Sequence, residues 1–460
     1  MTALHALTAG ELAALYSDGT TRPSEALAAI LARYERVNPV LNAVVTLDVE
    51  GATAAAREAD GRWADGQPLS PLDGVPVTIK DNLKVGGLRA TWGSRAYADH
   101  VAPRDELAVA RLRAAGAVIL GKTNTPELAL AGFTSNELFG VTGNPWDPAL
   151  TPGGSSGGAV AAVMGGIAPL ALATDAGGSV RRPAGHAGAV GLRTTPGLIP
   201  RRDGFPALAT DLQTIGPIAR TTTDLAAMLA ILSATTPPAP SAALAGLRVG
   251  LVGRIGAHPL DPEILSRLGD VAALLTDAGA SVAPLEEPWD PEEAGALFMG
   301  LAAVGVAATL EDALAGGFTP SPAIARLAET GAAIDGKTYA RTLAAIADYR
   351  WRAADLFEAF DIILSPSSAA LPWPKATPFP ETIDGITAAP RASAIYTTFA
   401  NVAGLPALAF PAAPAANGMP IGMQLIGAAG ADWRLLEIGA ALEAMIAWPR
   451  LAPDVRVLGG

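Results

Sequence analysis

The sequence predicts an α/β fold, a sandwich with helices on both faces of a mostly buried sheet. Three observations carry this. Short apolar runs bounded by glycine, at residues 75–79 and 117–120, read as strands and alternate with a helical stretch at 106–115. The chain has 460 residues, 50% hydrophobic and 17% charged, which suits a large buried core. The longest apolar run, residues 157–173, contains Gly165, Gly166 and Pro169. It reads as a buried helix followed by a buried strand, not as a membrane span.

Taken in order, Thr8-Ala9-Gly10-Glu11 has capping-box spacing ahead of an apolar periodic stretch. A second helix starts near Pro23 and is expected to end before Asn38-Pro39, because the residue before a proline avoids the α region. Residues 41–47 read as a strand. A helix is expected over 222–233, a Pro- and Ala-rich connector over 235–245, and a strand over 247–252. Residues 262–360 are mostly helical and Ala-rich, a peripheral layer placed to shape a substrate entrance. Residues 361–366 return to the core as a strand ending in a turn, and 418–427 read as a final strand pair. No boundary divides the chain and no repeat occurs. The expectation is one domain over 1–460, with its core motif region at about 74–200.

The net charge of −12 argues against nucleic acid and against an anionic membrane surface. The absence of cysteine removes disulfides, thiolate nucleophiles and Cys-based metal sites. His5, His100, His186 and His258 are far apart without His-Glu-x-x-His spacing, so no histidine metal site and no metal cofactor is expected. The first residues lack a basic segment leading into an apolar one, which points to a cytoplasmic protein.

Two motifs mislead. Residues 116–123 fit the phosphate-loop pattern, but the intervening Ala117-Val118-Ile119-Leu120 favours a buried strand over a loop that curls around phosphates. Gly154-Ser155-Ser156-Gly157-Gly158 fits a nucleophile elbow, yet a loop precedes it instead of a strand, and no histidine has the context of a base. No Ser-x-x-Lys occurs.

Three stretches carry the chemistry: Gly74-Val75-Pro76-Val77-Thr78-Ile79-Lys80-Asp81-Asn82, Gly153-Gly154-Ser155-Ser156-Gly157-Gly158, and Thr174-Asp175-Ala176-Gly177-Gly178-Ser179-Val180-Arg181. They supply an amine, loop serines and glycine-rich backbone, the inventory of a hydrolase that works without histidine. Of five lysines, Lys80 stands at the end of an apolar strand. A buried lysine has a lowered pKa and can act as a base, whereas arginine does not deprotonate. Ser155, Ser156 and Ser179, taken singly, read as turn residues.

Together these motifs resemble the amidase signature family, along nearly the whole chain and most densely over 150–197. The resemblance implies an α/β/α sandwich around a large central mixed β-sheet with a peripheral helical layer. It implies Ser179 as nucleophile, Ser155 as bridging serine after a cis peptide bond, and Lys80 as base. An oxyanion hole would come from the N–H groups of Ala176, Gly177, Gly178 and Ser179, with Asp81, Asn82, Asp175 and Arg181 as supports. By position, Ala129, Leu130, Gly132 and Phe133, with Ser155, would line the substrate pocket, joined by Trp373 and Phe379 from a later loop. The activity implied is cleavage of a small-molecule amide, ester or carbamate (urethane) without a cofactor. These small or apolar walls favour an uncharged substrate. A homodimer is left open.

The alternative is the glutamine-hydrolysing subunit of a tRNA-dependent amidotransferase, although Arg201-Arg202-Asp203-Gly204-Phe205-Pro206-Ala207 lacks the Ser-Arg-Tyr-Gly type of sequence associated with it. The chain also departs from the common family pattern at His186, where an aromatic is common, and at Ala187, where cysteine is frequent. Arg193-Thr194-Thr195 stands where Lys-Pro-Thr is usual.

Overall fold

The computed structural model describes residues 3–239, 244–286 and 289–453. Eleven strands form one mixed sheet. In chain order they are β1 (Val44–Leu47), β2 (Pro76–Lys80), β3 (Val118–Thr123), β4 (Leu170–Asp175), β5 (Val190–Arg193), β6 (Thr214–Ala219), β7 (Arg248–Leu251), β8 (Ser281–Pro284), β9 (Ile362–Pro366), β10 (Ala407–Pro411) and β11 (Gly422–Gly427). Their spatial order is β1-β3-β2-β4-β6-β5-β10-β11-β9-β7-β8. β3, β2 and β4 run parallel. The pairs from β4 to β9 are antiparallel, and β9, β7 and β8 are again parallel.

β2, β3 and β4 are buried at every position. That is why they read as continuous apolar runs: parallel strands covered on both faces have no solvent side to alternate toward. The register sets Ile79 of β2 beside Leu172 of β4, so both strands end at the same edge of the sheet. The helix Gly157–Met164 is buried throughout and packs against both strands. It leads into β4, so its N-terminus lies where β4 ends. The helix Arg181–Ala187 follows β4 from that same edge. Topology alone thus gathers the end of β2, the loop before one helix and the loop before another, at the carboxyl ends of parallel strands.

Several boundaries differ from expectation. The second helix runs Pro23–Leu41 with Pro39 inside it. Pro39 falls in the last turn, where one lost N–H matters little. The side chain of Asn38 then accepts the N–H groups of Ala43 and Val44, and Asn42 ends the helix in the left-handed region. β1 therefore starts only at Val44. Residues 418–427 hold one strand, not two: a turn at Gly418 (φ +83°) precedes β11, whose partners are β10 and β9. Among the described residues of the segment 262–360, the regular structure is helical apart from β8. The connector 235–245 falls partly on residues outside those described.

The peripheral layer consists chiefly of the helices Pro291–Ala315, Pro322–Ala332 and Gly336–Ala359. Pro291–Ala315 is, among the described residues, the one helix long and apolar enough to cross a membrane by length and composition. Here it packs against the helices Pro322–Ala332, Gly336–Ala359 and Thr398–Val402. Its contact with Pro322–Ala332 is close because Gly331 has no side chain: a Cβ there would fall on the Ala303 carbonyl. Gly331→Val is accordingly expected to separate the two helices and lower stability by about 1–3 kcal/mol, read as a lower urea midpoint.

Candidate active site

Lys80 is the last residue of β2 and is fully buried. Its Nζ lies 2.7 Å from Ser155 Oγ, 3.0 Å from Ser156 Oγ and 3.4 Å from Thr174 Oγ1. Burial pushes the amine down to about 7, against the opposing pull of Asp175. The residues after Lys80 fix it from behind. Asn82 Nδ2 donates to Thr174 Oγ1 at 2.8 Å, anchoring the hydroxyl that faces the amine. Asp81 turns the other way, accepting Lys122 Nζ at 3.1 Å and both the N–H and the hydroxyl of Thr91. Lys122 lies in β3 and is also fully buried, so the phosphate-loop pattern at 116–123 resolves into a strand and an internal ion pair.

Ser155 is fully buried, and the Gly154–Ser155 peptide bond is cis. The chain at 131–133 presses on this bond: a Cβ at Gly154 would come within 2.7 Å of Phe133 N and 2.8 Å of Ala131 O. Ser156 opens the helix Gly157–Met164, and its N–H donates to Ser179 O at 3.2 Å, joining the two serine loops.

Ser179 is 7% exposed and opens on the same tight cavity as Ser155, which has about 10 Å³ of free space. Of the four N–H groups expected at an oxyanion, that of Gly178 donates instead to Asp175 Oδ1 at 2.8 Å. Its donor role is therefore revised, because a carboxylate holds it. Gly178 has φ +100°, and a Cβ there would collide with Thr397. Ala176 also lines the cavity, and Gly177 lies against Phe298.

Asp175 ends β4 and organises the loop that carries Ser179. It accepts Gly178 N–H and Val180 N–H, the Arg181 guanidinium at 3.1 Å, and Asn401 Nδ2 at 2.8 Å. Burial alone would raise its pKa. The charges of Arg181 and Arg193, with the Arg181 and Asn401 hydrogen bonds, hold it far below the usual carboxylate range. Arg181 also donates to Gln424 Oε1, Thr397 O and Asn401 Oδ1. Arg193, standing where the family pattern has lysine, donates to the Asp175, Leu212 and Leu405 carbonyls.

The cavity wall differs in part from expectation. Ala129 and Leu130 line it, with Leu128, Leu208, Gln213 and Phe298, none of which the sequence pattern singles out. Gly132 and Phe133 are not in this wall. Phe133 lines a separate hollow with Gly93 and Arg95, and Gly132 lies against Arg182. Trp373 packs edge-on against His186, centroids 5.5 Å apart, and neither it nor Phe379 borders the cavity. His186 is a core residue: its Nε2 sits 3.1 Å from Ala370 O, and burial pushes the imidazole down to about 4.

The family model for amidases matches residues 25–436 of this chain. A glutamyl-tRNA(Gln) amidotransferase subunit from Roseiflexus sp. (strain RS-1) is 35% identical, the match covering 99% of this chain and 100% of that one. Among solved structures, a bacterial aryl acylamidase of the amidase signature enzymes superposes with TM-score 0.88 at 27% identity, covering 97% of each chain. A 6-aminohexanoate cyclic dimer hydrolase superposes with TM-score 0.84 at 28% identity, covering 98% of this chain and 99% of that one. An amine at the edge of a mixed sheet, two serine loops and a buried carboxylate behind them define an amidase signature enzyme. The chain belongs to the amidase family.

Asp175→Asn would leave two buried guanidinium groups without their charge partner. The expected loss is about 3–5 kcal/mol of stability, seen as a lower unfolding midpoint together with collapse of activity.

Proposed function

We propose that the protein is an amidohydrolase that cleaves small carboxylic amides through a Ser179 acyl-enzyme, with Ser155 and Lys80 as the proton relay. The observation that carries this is the buried Lys80 amine, lowered to about 7, at 2.7 Å from a serine that shares a cavity with a second serine. Neutral Lys80 takes the proton of Ser155, and Ser155 takes that of Ser179 as Ser179 Oγ bonds to the carbonyl carbon. The oxyanion is assigned to the N–H groups of Ala176, Gly177 and Ser179. The proton returns through Ser155 to the leaving nitrogen, the C–N bond breaks, and water then hydrolyses the ester by the same relay.

Asp81, Asn82, Asp175 and Arg181 hold these groups in place without entering the proton path. The single-domain reading rests on one sheet that takes strands from residue 44 to residue 427.

The cavity is tight, with only about 10 Å³ of free space beside the serines, and its walls are mainly aliphatic, with Phe298 as the one aromatic among its lining residues. That supports a compact acyl group over a long chain, and leaves anilides, aryl esters and carbamates within reach of the same chemistry. A second reading, a glutamine-hydrolysing amidotransferase subunit, is favoured by the 35% identity over 99% of the chain. The two separate on purified protein alone: an amidohydrolase turns over simple amides without partners, whereas the subunit needs its assembly to release ammonia from glutamine.

Ser179→Ala is expected to lower turnover of any amide substrate by about 10⁴-fold or more. Lys80→Arg keeps the charge but cannot lose a proton, and should be comparably inactive at every pH. In the wild type, kcat/KM should rise as pH increases through about 7, because only the neutral Lys80 amine accepts a proton. Full activity at pH 5, or a working Lys80→Arg enzyme, would remove Lys80 as base.

A further inference from the structure

Arg182 is a buried cation without an anion. It directly follows Arg181, whose guanidinium is taken up by Asp175, Gln424, Thr397 and Asn401. Arg182 is 7% exposed, and its Nε is buried without a hydrogen-bond partner. Among the described residues no carboxylate pairs with it. Asp175 is the one negative charge that acts on it, and the Asp175 oxygens already serve Arg181, Asn401, Gly178 N–H and Val180 N–H. Lys122 meets Asp81, and Arg193 and Arg220 reach backbone carbonyls, whereas Arg201, like Arg182, keeps buried guanidinium nitrogens without a partner. An unpaired buried charge is costly, so its retention points to a ligand.

The placement says which ligand. Arg182 N–H donates to Gly178 O, which puts Arg182 in the first turn of the helix Arg181–Ala187, three residues past Ser179 along the chain. Its Nη1 would lie 3.0 Å from a Cβ on Gly132, so the glycine makes room for the guanidinium beside the chain that backs Ser155. A second cation stands near. The charge of Arg391 opposes that of Arg182, and its guanidinium sits 5.3 Å from the ring centroid of Phe298, a wall of the nucleophile's cavity. Arg391 is exposed and lines a hollow that also holds Glu292; its bonds go to Thr398 Oγ1 and Met299 Sδ.

We propose that Arg182, with Arg391 nearby, is an anion subsite that receives a carboxylate carried by the substrate, three residues along the chain from Ser179. The planar guanidinium fork suits two carboxylate oxygens. This rests on the amidohydrolase reading and narrows it: the preferred substrates are short amides with an apolar stem in the cavity and a carboxylate at the far end.

The test compares matched pairs, succinamate against butyramide and N-acetylglycine against N-ethylacetamide, in wild type, Arg182→Gln and Gly132→Ala. Wild type should favour the anionic member of at least one pair by about 10- to 100-fold in kcat/KM, the effect of a charged hydrogen bond. Arg182→Gln should collapse that ratio toward one, and Gly132→Ala, which crowds the guanidinium, should reduce it. Binding is read separately from turnover: succinamate should raise the Tm of Ser179→Ala and fail to raise that of Ser179→Ala carrying Arg182→Gln. Equal turnover of charged and neutral members overturns the subsite. So does an absent thermal shift, or inorganic phosphate stabilising as well as succinamate does. Hydrolysis abolished by Ser179→Ala sustains the amidohydrolase reading whichever way the charge preference falls.

Discussion

The site depends on one buried carboxylate. Asp175 ends β4, and everything around the nucleophile is fastened to it: the Gly178 and Val180 N–H groups ahead of the helix, Arg181 at the helix start, and Asn401 from a helix beyond position 390. A carboxylate out of water is tolerable only when its oxygens are filled and its charge is matched. Arg181 does both, and in turn binds Gln424 in β11. The loop that carries Ser179 is therefore held by charge, not merely by packing. Its glycines follow from that: Gly178 must bring its N–H to Asp175 at positive φ with Thr397 against it, which excludes any side chain.

The same carboxylate bears on the base. Asp175 attracts a proton to Lys80, while burial drives the proton off, and burial prevails, leaving the amine at about 7. Arg181 and Arg193 meet the same Asp175 charge. Removing either arginine would act on the Lys80 amine at a distance by letting more of that negative charge through. Structural support and proton affinity are thus one electrostatic system, in which the supports tune the base they never touch.

The sequence shows the catalytic segments well and the walls poorly, for a physical reason. Lys80 is readable because a lysine closing an apolar strand is anomalous in itself, and the serines because glycine clusters mark tight backbone beside them. Lys122 carries the same signal as Lys80, but the phosphate-loop pattern drew attention away from it. The contacts of Arg181 with Gln424 and of Asp175 with Asn401 span more than 200 residues, and no local pattern encodes such pairings. Phe298 reaches the cavity only because its helix docks on the core, which periodicity does not specify. Pro39 errs in the opposite sense: the local rule is right about proline, and the Asn38 side chain supplies what the helix end would otherwise lack.

This division explains why likeness over a whole chain does not transfer a substrate. The sheet, the Lys80 strand and the two serine loops are common scaffold, and a chain similar to an amidotransferase subunit, an aryl acylamidase and a cyclic dimer hydrolase at once is reporting that scaffold. Under the reading proposed above, substrate choice falls to Phe298 and Leu208 in the wall, to Gly132 beside the bridging loop, and to Arg182 three residues past Ser179. At Arg182 a buried guanidinium nitrogen lacks the partner that Lys122, Arg193 and Arg220 have. Proteins depart from their own packing rules at functional sites, so the unmatched guanidinium marks specificity better than overall identity does.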